Sequence, residues 1–341
     1  MATRSWGRLA AAGLLVGGGV AAAVLRDDDP VSAPTTTSAT ATTIVTTTTS
    51  TAEPSTTSPD PPIGWADLAE GPAKAVVTPN GVVLAVLVAN ADGSYVARSP
   101  CGNEVTVAGT PLTGANVVLD PGHGGDEPGA VGPVGTIEKA VNLSIAQETK
   151  RQLEARGASV VLTRTADYRI TLASRAAIAT NLQAQLFVSI HHNAAPDEPR
   201  EGPGAETYFQ IASPESKRAA GLVYEELVRA FAPYDVAWVA DRDAGAKYRL
   251  RAGGGDYYGI LNRTAGVPAV LSEAAFISNA PEEALLADPA FQAVEARAIS
   301  DAVVRYVTTQ DPGSGFVEPY PRTEPAGPGG GTEGCVDPLF R

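Results

Sequence analysis

Histidine and cysteine are scarce in this chain, with three His and two Cys in 341 residues. Two Cys exclude a Cys-rich zinc finger and a dense disulfide scaffold. Three His confine any imidazole chemistry to His123, His191 and His192. Basic residues are also few, 25 Lys and Arg against 38 Asp and Glu, for a net charge of −13. That balance argues against a nucleic-acid partner, because phosphate binding needs clustered Lys and Arg. Charged residues make up only 18% and hydrophobic ones 44%, which is enough to bury a sizeable core. No internal repeat is evident.

One long uncharged stretch stands out, Leu9 to Leu25, behind Arg4 and Arg8 and ahead of Arg26 and Asp27–Asp29. A basic front, an apolar middle and the small residues Ala21–Ala23 read as an export signal or an uncleaved membrane anchor over residues 1–30. At about 17 residues the stretch sits at the low end of what spans a bilayer. Residues 31–62 follow as a Thr/Ser/Pro-rich linker; from Ser32 to Ser58, 18 of 27 residues are Ser or Thr. Such a tract lacks the apolar surface that offsets chain ordering and is expected to be disordered. The protein is therefore expected to be exported to the periplasmic or cell-wall space, secreted or membrane-tethered. Any membrane contact would run through the N-terminal anchor alone. In an oxidising compartment, two cysteines suit one disulfide, Cys101–Cys335; two free thiols are the alternative.

The composition changes at Ile63. Ala75–Val77, Val82–Val88 and Tyr95–Arg98 read as short strands between turns at Pro79-Asn80-Gly81 and Asn90–Ser94, predicting a small β-rich module over 63–112. From 113 to 311 strand and helix signals alternate. Val117–Leu119, Val160–Thr163, Leu186–Ile190 and Ala269–Leu271 read as strands. Ile137–Arg156, Leu172–Gln183, Ala219–Phe231 and Pro281–Thr308 read as helices. Alternation of this kind predicts an α/β domain, a twisted, mostly parallel sheet flanked by helices on both faces. The Gly/Pro-rich residues 312–341 read as an irregular tail.

Sites in open α/β sheets gather at the carboxyl ends of strands. Three polar clusters fall there: Asp120-Pro121-Gly122-His123-Gly124-Gly125, His191-His192-Asn193 and Ser272-Glu273. Glu138 opens the first helix, 15 residues after His123. Two imidazoles and a carboxylate can thus converge with a second carboxylate nearby. Two His and one carboxylate form a common catalytic zinc set that leaves a position for water, and a free Glu beside it can move the water proton. Taken singly, each has a plainer role. A His after a strand packs or caps, and Glu138 favours its helix N-terminus.

Val118-Leu119-Asp120-Pro121-Gly122-His123-Gly124-Gly125, followed by Glu138-Lys139 and Asn142-Leu143, resembles the opening of zinc-dependent N-acetylmuramoyl-L-alanine amidases of the type-3 class. Leu162-Thr163-Arg164, Ser189-Ile190-His191-His192-Asn193-Ala194 and Glu273 within Ser272–Asn279 look like later segments of the same family. The resemblance implies one zinc per chain held by His123, Glu138 and His191, with Glu273 as the catalytic carboxylate. It implies hydrolysis of the amide between N-acetylmuramic acid and the L-Ala of the peptidoglycan stem peptide by zinc-activated water. The family typically has a small residue where His192 stands, and a Gly near Ala275. The register of Ser189-Ile190 selects His191 as ligand, and alternation along a strand places His192 on the opposite face. Asp120 and Asn193 are expected to orient ligands, or merely to form turns. Arg164 is expected to pair with a carboxylate inside the domain. Arg249 and Arg251, with Arg242 and Lys247, read as a substrate rim facing stem-peptide carboxylates or as a solvated loop. Only 82 positions separate His191 from Glu273, so little room remains for the autoinhibitory helical insertion that some relatives carry. The expected partner is peptidoglycan or a muropeptide, and the expected state a monomer. Two other functions fit the same residues: a zinc peptidase cutting within the stem, and a non-catalytic wall-binding module.

Overall fold

The computed structural model describes residues 64–68, 70–322 and 329–341. The signal and linker expectations for 1–30 and 31–62 lie outside these residues. Among the described residues, no helix is long and apolar enough to cross a membrane.

The first five strands are β1 (Ala75–Val77), β2 (Val83–Ala89), β3 (Tyr95–Arg98), β4 (Glu104–Val107) and β5 (Thr110–Leu112). They form an antiparallel sheet in the order β4-β3-β2-β1-β5. Its central strands are covered on both faces: Val76, Leu84 and Val86 point to one apolar cluster, and Ala75, Val83 and Ala85 to another.

The larger layer follows as β6 (Val117–Pro121), α1 (Glu138–Glu154), β7 (Val160–Leu162), α2 (Leu172–Leu182), β8 (Leu186–Asn193), β9 (Glu198–Arg200), β10 (Glu206–Phe209) and α3 (Pro214–Phe231). After these come β11 (Trp238–Ala240), β12 (Ala246–Lys247), α4 (Gly259–Arg263), β13 (Ala269–Phe276), α5 (Ala280–Leu286) and α6 (Pro289–Thr308). Six strands order as β12-β10-β13-β8-β6-β7, while β9 and β11 pair separately. Only the β10–β13 junction is antiparallel within the six. The sheet is therefore mostly parallel, as the strand–helix alternation predicts. Its central strands β6, β8 and β13 are near-continuous apolar runs because both faces are covered. Apolar residues of α1, α3 and α6 pack on one face around Val117, Val188 and Val270. Those of α2 and α4 pack on the other around Val118, Phe187 and Leu271, where β1 and β2 join them. Burying a side chain such as Phe187, Phe231 or Phe291 contributes about 1.5–3 kcal/mol.

Local chemistry sets the helix starts. Thr171, Ser213 and Asp288 accept backbone N–H bonds at the starts of α2, α3 and α6, and Pro214 and Pro289 open the latter two. The Asp288-Pro289 start divides the expected Pro281–Thr308 helix into α5 and α6. Two strands also run further than their apolar cores. β8 continues through His191-His192-Asn193 and β13 through Phe276, so the polar clusters ride on strands rather than on the loops after them.

Candidate metal centre

The extension of β8 decides the geometry of the two adjacent imidazoles. Strand alternation sends Ser189 and His191 to the α2 side and Ile190 and His192 to the α1 side. His192 is 2% exposed, its Nδ1 lies 2.8 Å from Asn142 Oδ1, and its Nε2 lies 3.1 Å from Glu295 Oε2. Burial opposes its protonation, but Glu295, with Glu138 and Glu282 behind it, outweighs burial and raises its pKa. For His191, burial instead dominates and lowers the pKa. The neutral ring is the form that binds metal.

His191 Nδ1 lies 3.0 Å from Glu138 Oε1, and His123 Nε2 lies 3.2 Å from Glu138 Oε2. Donor atoms of His123, Glu138 and His191 all fall within 4.8 Å of one another. Glu138 is the first residue of α1, and its Oε2 accepts the Ala130 N–H at 2.8 Å while its Oε1 accepts from Asn142 Nδ2 at 3.1 Å. Burial pushes Glu138 up, yet the two imidazoles hold it well below the usual carboxylate range. Glycine makes the approach possible. A Cβ on Gly122 would stand 2.2 Å from the His191 ring, and one on Gly129 2.4 Å from Glu138 Oε2. Two nitrogen donors and one oxygen donor on a cradle free of side chains fit a divalent cation such as zinc.

Register brings the second carboxylate alongside. Glu273 pairs with His191 across β13–β8, and Glu206 pairs with Glu273 across β10–β13. Burial, reinforced by Glu138, Glu206 and Asp241, pushes the Glu273 carboxyl well above its ordinary range. Among the described residues, Glu273 Oε2 is buried without a hydrogen-bond partner. A cavity of about 320 Å³ opens beside the centre, lined by His123, His191, Asp120, Arg175, Ile260 and Gly330, among others.

Asp120 acts at one remove from the ligands. It accepts from Thr163 at 2.5 Å, Ser189 at 2.7 Å and Arg175 at 2.7 Å, and Arg175 also donates to the His123 carbonyl at 2.6 Å. That bond steadies His123 in a left-handed backbone conformation, φ 61°, uncommon for a non-glycine residue. Of the two roles expected for Asn193, the side chain makes a local turn bond, accepting the Ala194 N–H at 2.8 Å, and its Nδ2 donates to Glu206 Oε2 at 3.1 Å, beside Glu273. Arg164, expected on a carboxylate, donates to the carbonyls of Pro121, Gly122 and Lys139 and so braces the His123 loop. Lys247, read as part of a rim, is fully buried and bonds Glu206 Oε1 and Asp243 Oδ1, both at 2.8 Å. The cluster Glu206, Asp241 and Asp243 is thus already met by Lys247 and by Arg322, which reaches Asp241 at 2.7 Å and Asp243 at 2.8 Å. Arg242 pairs with Asp197, Arg249 lies 3.7 Å over the Tyr257 ring, and exposed Arg251 donates to the Gly254 carbonyl. Arg175, Glu206 and Gly330 escaped sequence reasoning. Only Arg175 left a signal, as a charge on the inward side of an otherwise apolar helix.

A family model described as Amidase_3, N-acetylmuramoyl-L-alanine amidase, matches residues 117–305. The chain belongs to that family. It is 33% identical over 216 residues to the uncharacterized protein YqiI of Bacillus subtilis, covering 63% of this chain and 93% of that protein. It is 35% identical over 198 residues to the N-acetylmuramoyl-L-alanine amidase LytC of the same species, covering 58% of this chain and 36% of LytC. With the amidase AmiC of Neisseria meningitidis the identity is 34% over 222 residues, 57% of this chain and 53% of that one. The chain thus spans well under two thirds of those two amidases. Among solved structures, the catalytic domain of the amidase CwlV from Bacillus (Paenibacillus) polymyxa shares 34% identity and a TM-score of 0.48, covering 57% of this chain and 98% of that domain. The amidase match takes in His123, Glu138, His191 and Glu273, whereas β1–β5 and the tail after residue 305 lie outside it.

Proposed function

We propose that this protein is an exported zinc-dependent amidase, acting as a monomer in the periplasmic or cell-wall space. It hydrolyses the bond between the lactyl group of N-acetylmuramic acid and the L-Ala of the stem peptide. The observation that carries the reading is the convergence of His123, Glu138 and His191 beside Glu273, whose carboxyl is buried and has an unpartnered oxygen. His123, Glu138 and His191 would hold one zinc, which when bound supplies Lewis-acid polarisation of a carbonyl and of water. Glu273 takes the proton of the attacking water and returns it to the departing amine. A carboxyl raised well above its ordinary range is suited to that double task. Glu206, held by Lys247 and Asn193, sets a second carboxyl next to Glu273 and adds to the rise in the Glu273 pKa. Asp120 and Arg175 fix the backbone that presents His123. Arg249 and Arg251 contact carboxylates of the stem peptide.

The test is digestion of purified peptidoglycan with and without a chelator, with products identified by mass spectrometry. Chelator-sensitive release of peptides beginning with L-Ala is the expected result. Cleavage inside the stem would replace the amidase by a zinc peptidase, and binding without release would leave a wall-binding module.

A further inference from the structure

The cavity beside His123 and His191 is completed by a segment far from the family match. Gly329 and Gly330 line it, 24 or more residues beyond residue 305 where that match ends. The segment is seated by specific bonds. The Gly330 N–H donates to Glu127 Oε1 at 2.7 Å, and the Gly330 carbonyl accepts the Leu172 N–H at 3.0 Å. Arg169 donates to the carbonyls of Glu333 at 2.8 Å and Gly331 at 3.0 Å, and its other contacts reach Asp126 at 3.0 Å and Glu127 at 3.1 Å. Asp126 and Glu127 belong to the loop that leaves His123, so one guanidinium clasps the tail to the metal loop. Five residues past Gly330, Cys335 is bonded to Cys101, and Asp337 accepts the Cys101 N–H at 2.8 Å. Within 329–335 apolar packing contributes little, since none of these residues is fully buried. The cross-link, the Arg169 clasp and the Gly330 bonds therefore hold this stretch, while further on Phe340 packs against the apolar cluster around Val76, Leu84 and Val107.

We propose that residues 329–335, stapled by Cys101–Cys335, are a substrate-binding wall of the metal cavity. The inference rests on the amidase reading and deepens it. The wall presents bare glycine backbone to the cavity, so a bound muropeptide gains contact area and peptide groups to bond without a side chain blocking the metal. Opening it exposes the cavity to solvent and weakens binding, while His123, Glu138, His191 and Glu273 keep their places on β8, β13, α1 and the His123 loop. The wall is thus a determinant of KM and not of the chemical step.

Two full-length variants test this against the wild type on a soluble muropeptide. Cys101→Ser/Cys335→Ser removes the staple. Gly330→Val keeps it but displaces the wall, since a Cβ at Gly330 would stand 2.5 Å from Leu172 in a backbone with φ +76°. The expected result for both is a rise in KM on the order of tenfold, with kcat within about twofold and zinc content unchanged. If the double-serine variant does not fold, Gly330→Val decides. An unchanged KM in active, zinc-loaded variants overturns this proposal alone, as does a fall in kcat without a change in KM. An inactive wild type overturns the amidase reading and this proposal with it.

Discussion

Each residue at the centre owes its role to a neighbour that a different strand supplies. Glu273 faces a ligand on β8 and a carboxylate on β10 because three strands align in register. Replacing it with Ala is expected to lower kcat by at least about 10²–10⁴-fold, the usual contribution of a positioned acid–base, while metal analysis finds zinc still bound. Retained turnover would remove Glu273 from its role. Asp120 contributes to acid stability. Burial pushes it up, but Arg175, Thr163 and Ser189 overcome that and hold it below its ordinary value. The unfolded chain therefore takes up this proton first as the pH falls. The stabilisation is complete above about pH 4 and is lost as the pH drops through the lower folded value. Unfolding free energy measured between pH 2 and 7 should show this slope in the wild type and a shallower one in Asp120→Asn. The ligand positions were legible because His123 and His191 stand at the ends of apolar strand runs and Glu138 opens the first helix, each in a recognisable string. Lys247 was not. Its charge suggests a surface, and the partners that neutralise it include Glu206, 41 residues earlier, which only the fold brings near.

At the scale of elements, β8 separates two functions by parity. Its α2 side carries His191 and its α1 side carries His192, which links β8 to α1 through Asn142 and to α6 through Glu295. Both His192 and Glu295 are buried, so deleting one partner strands the other. Glu295→Ala should destabilise the protein by about 3–5 kcal/mol in urea unfolding while zinc stoichiometry is kept. Loss of zinc with no loss of stability would mean that His192 serves the metal side instead. The central strands and the helices α1 and α2 were readable because their apolar patterns are clear, and Thr171 also caps α2. β4, β5, β9, β10, β11 and β12 were missed; they are two to four residues long, and Pro111 and Pro199 sit inside two of them. Strands that short are defined by their partners, not by a pattern of their own.

For the molecule as a whole, the Cys101–Cys335 bond closes a span of 234 residues around the α/β sheet. On the chain-entropy model such a closure contributes about 5 kcal/mol by restricting the unfolded chain. Cys101→Ser/Cys335→Ser should therefore melt at a clearly lower temperature by calorimetry, and an unchanged melting temperature would show that the unfolded chain gains nothing from release. The pairing could be anticipated from cysteine scarcity and the expectation of export. The tail's place against the metal cavity could not, because a Gly/Pro-rich composition carries no period and its attachments are single polar bonds to distant loops.

The spacing of the two cysteines also imposes a sequence of assembly. Cys101 is synthesised before any strand of the large sheet, and Cys335 only after all of them. The bond can close only once β6 through α6 exist and have brought the two thiols together. His123, Glu138, His191 and Glu273 all lie between the two cysteines, so their convergence needs no residue beyond the span that the bond later encloses.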